Sequence, residues 1–297
     1  MPTHHDKQSR PEKAVHWIVN VAARGLLGLA LMLPYDRRVP FFGKVVTHFV
    51  GPLAGYRRRA IRHIAKIYPD KTPQEHRALA AACLDNMGRC LIESFSTMEF
   101  FERMTSTRMS GPGVKVLEDA TKNNQAVILV TGHFGNYEAA RAAMVHKGYT
   151  IGAIYRYMAN PYFNEYYVKA LHAFGGPGFP QGKRGTGAAV RHLKDGGKLV
   201  LLFDQHVKGA PVLDFLGHPA KTAISAAQLA LKYNALLVPY YSIRQADGVT
   251  FEAVFEDPIP HSDATTMTEA MNASLEARIK AHPEQWFWVP RRWRPDE

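Results

Sequence analysis

The segment Ala126–Glu138, AVILVTGHFGNYE, constrains the fold of this chain more than any other. It opens on an uncharged apolar run, rich in β-branched residues and too short for a helix, which reads as a buried strand. A glycine stops the run, and Tyr137–His146 then reads as a helix, with Gly148 as its C-terminal stop. The alternation repeats downstream. Ile151–Tyr155, Lys198–Phe203, Leu236–Ile243 and Val249–Phe255 read as further strands. Pro161–Phe174, Thr186–Lys194, Thr222–Tyr233 and Thr265–Lys280 read as helices between or after them. Strands separated by helices predict an α/β fold: a largely parallel mixed sheet flanked by helices. An N-terminal helical, membrane-associating portion (1–110) precedes this α/β core (111–297), the two forming one continuous structural domain.

Within the same segment His133 and Glu138 are spaced H-x4-E at a strand-to-helix junction. Open α/β sheets place ligands at that carboxyl edge. On one helix, residues five apart point about 140° away from each other. The two can therefore meet only if His133 lies in the turn and Glu138 in the first helical turn behind it. That arrangement suits a base and its orienting carboxylate. No G-x-S-x-G elbow occurs in the chain, and no Ser or Cys stands beside His133. The base then activates a substrate hydroxyl or a water. Gly132 and Gly135 let the backbone come close, and N–H groups near Gly135 and Asn136 are candidates to hold substrate and an oxyanion.

Two further groups point to anionic ligands. Gly175–Gly187, GGPGFPQGKRGTG, carries Lys183 and Arg184 ahead of a helix expected to open at Thr186, but its spacing is not that of a Walker loop. Arg156 and Asp204 follow predicted strands, on the edge that also bears His133. A metal site among His133, Glu138, Asp204 and His206 lacks any HExxH or Cys cluster, so none is assigned.

The chain holds 37 Lys and Arg against 26 Asp and Glu, a net charge of +11, which favours anionic partners. Basic runs adjoin apolar helices and no nucleic-acid motif is present, so a membrane surface is expected rather than nucleic acid. Residues 1–13 are polar and expected to fray. Ala14–Leu33 is the most membrane-like segment, with His16, Asn20 and Arg24 in one stripe. An arginine at the centre of a span costs ~2.5–3.5 kcal/mol. A helix lying in the interface, polar stripe outward, avoids that cost and is preferred over a span or a soluble core helix. Phe41–Leu53 is a second apolar stretch, followed by the basic run from Arg57 to Lys66. Thr72–Phe101 reads as one long helix opened by a Thr72–Glu75 capping box. Cys83 and Cys90 are about 10 Å apart along it, too far for a disulfide, and read as reduced, buried thiols in a cytosolic compartment.

TGHFGNYE (131–138), YRYMANP (155–161), GKRGTGAAVRHLKDGGKLVLLFDQ (182–205) and PEQWFWVPRRW (283–293) resemble the late acyltransferases of lipid A biosynthesis. These are the lauroyl and myristoyl transferases of the lysophospholipid acyltransferase superfamily. The resemblance extends to the N-terminal apolar helix and RRRAIRHIAKIYPD (57–70), and so covers nearly the whole chain. It implies His133 as catalytic base, Glu138 as its acidic partner, Arg156 as an active-site or phosphate-binding group and Asp204 at the site edge. It also implies an acyl-carrier-protein thioester as donor, no cofactor, a lipid A precursor as acceptor, and the cytoplasmic face of a bacterial inner membrane. The family commonly has a second acid two positions after Asp204, where this chain has His206. Acylation of a lysophospholipid or aminolipid, or hydrolysis by a His133-activated water, are the alternatives.

Overall fold

A computed structural model describes residues 10–294. In chain order the N-terminal helices are α1 (Arg10–Leu31), α2 (Tyr35–Val45), the short α3 (Gly51–Leu53), α4 (Tyr56–Ile67), α5 (Pro73–Phe95) and α6 (Thr97–Arg103). A π-helical turn, Val46–Val50, joins α2 to α3. The rest alternates: β1 (Arg108–Ser110), α7 (Gly113–Lys122), β2 (Val127–Thr131), α8 (Tyr137–His146), β3 (Ile151–Tyr155), α9 (Pro161–His172), β4 (Gly178–Pro180), α10 (Lys183–Lys194) and β5 (Lys198–Leu202). There follow the hairpin β6 (Val212–Phe215) and β7 (His218–Lys221), then α11 (Ser225–Tyr233), β8 (Leu236–Arg244), β9 (Phe251–Phe255) and α12 (Ala264–Ala281).

The seven-stranded sheet has the order β1-β9-β8-β2-β5-β3-β4. Every pair in it is parallel except β8 with β9. This is the largely parallel mixed sheet expected from the alternation. The strand β2 lies at its centre and is buried along its whole length, which is why its sequence is continuously apolar rather than alternating. Its side chains still divide by period two. Ile128 and Val130 join a core with α5, α10, α11 and α12, and Val127 and Leu129 join one with α7 and α8. A third core packs α1, α2 and α5 against α8 and α9, so the N-terminal helices share hydrophobic cores with the sheet's own helices.

Three local expectations change, and the orientation of α1 becomes visible. The long helix begins as predicted, with reciprocal Thr72–Glu75 bonds, but it ends at Phe95. Thr97 then takes φ +39°, and the turn carries Phe100 into a buried site against Phe174 and Phe251. The glycine-rich stretch is not one loop, because Gly178–Pro180 pairs with β3 and α10 starts at Lys183, before the expected Thr186. Of the polar segment 1–13, residues 10–13 already belong to α1, and 1–9 lie outside the described residues. The polar stripe of α1 lies against the body of the protein at His16 and Asn20, while Arg24 stays exposed. Asn20 is buried, and the His16 carbonyl accepts a 2.7 Å bond from Asn160 Nδ2 on the body of the protein. The apolar face is the exposed one.

Candidate active site

The site follows from sheet register. In the parallel pair β2–β5, Thr131 stands opposite Leu202, and the Phe203 N–H still donates to the Thr131 carbonyl at 3.2 Å. Two residues past each of these strand ends come His133 and Asp204, side by side. Asp204 Oδ1 lies 2.7 Å from His133 Nδ1, and Asp204 Oδ2 accepts the His133 backbone N–H at 2.8 Å. The Trp286 indole N–H donates to that same Oδ2 at 2.9 Å. Asp204 is almost wholly buried, with its carboxylate satisfied by these donors, while His133 keeps 20% of its side chain exposed.

A carboxylate on Nδ1 holds the proton there and leaves the Nε2 lone pair facing outward. The Gln205 amide nitrogen approaches Nε2 at 3.4 Å, as a donor would. Burial disfavours the imidazolium, but the charge of Asp204 and its hydrogen bond outweigh this, so the His133 pKa lies above the ordinary 6.5. Burial likewise raises the Asp204 carboxyl, yet the His133 charge, the His133 bonds and the Trp286 bond together hold its pKa below 3.8. The pair is thus a carboxylate-oriented base.

Glu138 is not the orienting group. It lies in the first turn of α8, where its carboxylate accepts from Arg141 Nε, one helical turn on, at 2.6 Å. Arg141 also donates to the Gly175 and Leu171 carbonyls, so this buried pair ties α8 to α9 and the loop after it. Helix geometry favours the i,i+3 partner, and the adjacency of β2 and β5 supplies His133 with a different acid.

Three backbone N–H groups of the turn, Gly135 among them, are engaged within the protein rather than turned to a substrate. The N–H of His133 donates to Asp204, that of Phe134 to Gly132 O, and that of Gly135 to Gln285 O at 2.9 Å. Asn136 is a cap rather than a substrate ligand. Its Oδ1 accepts the Glu138 N–H, and its Nδ2 donates to Glu93, itself fully buried in an ion pair with Arg244. Gly135 has φ +55°, and a Cβ there would lie 1.7 Å from the Ser242 carbonyl oxygen, so the turn requires glycine. Cys90 Sγ donates to Gly135 O and Cys83 Sγ to Trp286 O. Both thiols are free and buried, and burial pushes each pKa up to about 12.

The dyad opens on a cavity of about 520 Å³ whose wall includes His133, Tyr137, Glu138, Arg156, Tyr167, His206 and Lys208. Among the described residues, no Ser, Thr or Cys lines it. Arg156 is brought to the wall as expected, whereas Lys183 and Arg184 are exposed in the first turn of α10 and are not part of the lining. Among the described residues, no three His, Cys, Asp or Glu side chains are grouped to hold a metal. Sequence reasoning missed Trp286, Gln285 and Lys208. The first two stand within PEQWFWVPRRW, but nothing in its spacing shows that it returns to the His133 turn.

The chain is 22% identical over 279 residues to the lipid A biosynthesis myristoyltransferase of Escherichia coli, covering 89% of this chain and 84% of that protein. It is 25% identical over 285 residues to the lipid A biosynthesis lauroyltransferase of the same organism, covering 91% and 89%. A phosphatidylinositol mannoside acyltransferase of Mycobacterium tuberculosis matches at 20% over 245 residues, covering 80% and 77%. A profile of the family described as bacterial lipid A biosynthesis acyltransferase matches residues 1–295. The chain belongs to the bacterial lipid A biosynthesis acyltransferase family.

Proposed function

We propose that this acyltransferase moves a fatty acyl chain from an acyl-carrier-protein thioester to a hydroxyl of a lipid A precursor, at the cytoplasmic face of a bacterial inner membrane. The observation that carries this reading is a His133–Asp204 base facing a cavity that, among the described residues, is lined by no Ser, Thr or Cys. His133 Nε2 takes the proton of the acceptor hydroxyl while that oxygen bonds to the thioester carbonyl carbon. Arg156, on the cavity wall, steadies the oxyanion that forms, and its charge is worth most where water is excluded. The intermediate collapses by breaking the carbon–sulfur bond. The sulfur leaves as thiolate and takes the proton from the His133 imidazolium, giving an ester and a free carrier thiol. Glu138 acts through Arg141 by fixing the wall, not on the proton.

The test uses purified protein with acyl-carrier-protein donors and a panel of acceptors: a lipid A precursor, lysophospholipids and aminolipids. Transfer to the lipid A precursor is expected, and His133→Ala, folded normally by circular dichroism, is expected to lose at least a thousandfold of it. Full activity in His133→Ala would remove the base from the mechanism. Free fatty acid as the sole product would replace transfer by hydrolysis.

A further inference from the structure

We propose that α1 is a monotopic anchor that lies in the plane of an anionic membrane surface, apolar face inward to the lipid, rather than a helix that crosses the bilayer. This rests on the membrane location proposed above and adds its geometry. The segment Pro11–Leu31 is long and apolar enough to span. Its packing decides otherwise.

The helix is held to the body along most of its length. Near its start, His16 O accepts from Asn160 Nδ2. At mid-length Asn20 is buried, and Arg24 sits over the Tyr166 ring, 5.0 Å from its centroid. Towards its end, Leu27 and Ala30 are buried among Tyr35, Phe42 and Phe95. From His16 to Ala30 is about 21 Å of helix at 1.5 Å per residue. To cross a bilayer, α1 would have to give up all of these contacts or draw α2 and α9, with their charged side chains, into hydrocarbon.

The opposite face has no such contacts. Val15, Trp17, Ile18, Val19 and Leu29 are each more than half exposed. Taken at 100° per residue, the exposed positions cover well over half the helix circumference. Cations border this stripe. Arg24 stands at its edge, and with Lys169 and Glu165 of α9 it lines a lateral cavity of about 580 Å³ floored by Phe95, Met98 and Ala173. This cavity lies on the side of α9 away from the catalytic one, whose wall takes Tyr167 and Leu171. Lys13 precedes the stripe and Arg37 follows it. An apolar stripe bordered by cations matches an anionic leaflet, with phosphates at the border and acyl chains under the stripe.

The experiment uses the full chain with an environment-sensitive probe on a single introduced cysteine, in Val15→Cys, Ala22→Cys or Leu29→Cys. These exposed positions are seven residues apart and share a face. Each protein is bound to phosphatidylcholine vesicles, with or without phosphatidylglycerol, that carry nitroxides at shallow or deep acyl positions. Equal, shallow quenching at all three positions is expected. A probe at position 22 about 10 Å deeper than those at 15 and 29 would mean a span and overturn the in-plane anchor, leaving the membrane location intact. No binding to either vesicle would overturn both. In a second measurement, Arg24→Gln with Lys169→Gln is expected to weaken binding to phosphatidylglycerol vesicles about fivefold per cation and to spare phosphatidylcholine vesicles. Unchanged binding to both would overturn the charged border.

Discussion

His133 is a base whose strength is set by its neighbours, and those neighbours set its pH dependence. Its pKa is raised above 6.5 because Asp204 outweighs burial, so the neutral, active imidazole is lost as pH falls through a value above 6.5. Asp204→Asn removes the group that raises the pKa and leaves the burial that lowers it. The acid limb of the kcat/KM profile is then expected below pH 6.5, with kcat reduced by about two to four orders of magnitude because the proton is no longer held on Nδ1. A limb left above 6.5 in this variant would show that another group sets it. Stability changes with the opposite sign for the two partners. The raised His133 pKa stabilises the fold fully below about 6.5, and this is lost as pH rises through the folded value. The lowered Asp204 pKa stabilises above about 3.8, and this is lost as pH falls through its folded value.

The turn between β2 and α8 shows how an element imposes requirements on single residues. Gly135 meets two at once, a positive φ and contact with the Ser242 carbonyl. Gly135→Ala is expected to destabilise by about 2–5 kcal/mol, from left-handed strain and from overpacking. Differential scanning calorimetry would register this as a Tm lower by several degrees, and the displaced turn would lower kcat as well. A Tm unchanged within error would contradict the close approach. This turn, unlike the acid that serves it, was legible in the chain: a β-branched run, a glycine stop and a helix start place His133 correctly. The Glu138 expectation failed because H-x4-E spacing reports only what is near in sequence. An i,i+3 arginine was equally near in sequence and took the carboxylate, since helix geometry brings the two together.

Across the whole molecule, the segment 283–293 returns to close the site from far along the chain. The Phe287 N–H donates to His133 O, the Gly135 N–H to Gln285 O, and the Trp286 indole to Asp204, while Arg292 anchors the end of the segment on Thr222 and the Lys221 carbonyl. Trp286→Phe keeps a ring among Trp288, Phe215 and Trp293 but removes the donor. Asp204 then concentrates its charge on His133, and the acid limb is expected to move to higher pH, opposite to Asp204→Asn. A fall of roughly tenfold in kcat at unchanged KM should accompany it. A purely structural tryptophan would lower stability without moving the limb.

Local pattern alone determined that strands and helices alternate, that the central strand is buried, where His133 turns and which helix is apolar enough to meet a membrane. Each of these depends on residues within about one helical turn or one strand of each other. Folding decided the rest, because it depends on which distant segments become neighbours. The β2–β5 register set Asp204 beside His133, the returning C-terminal segment gave Asp204 its indole donor, and packing by Asn160 on the backbone of His16 fixed which side of α1 meets the body. Hydrogen bonds and buried contacts between residues tens to hundreds of positions apart carry no period, so they become visible only when the chain is folded.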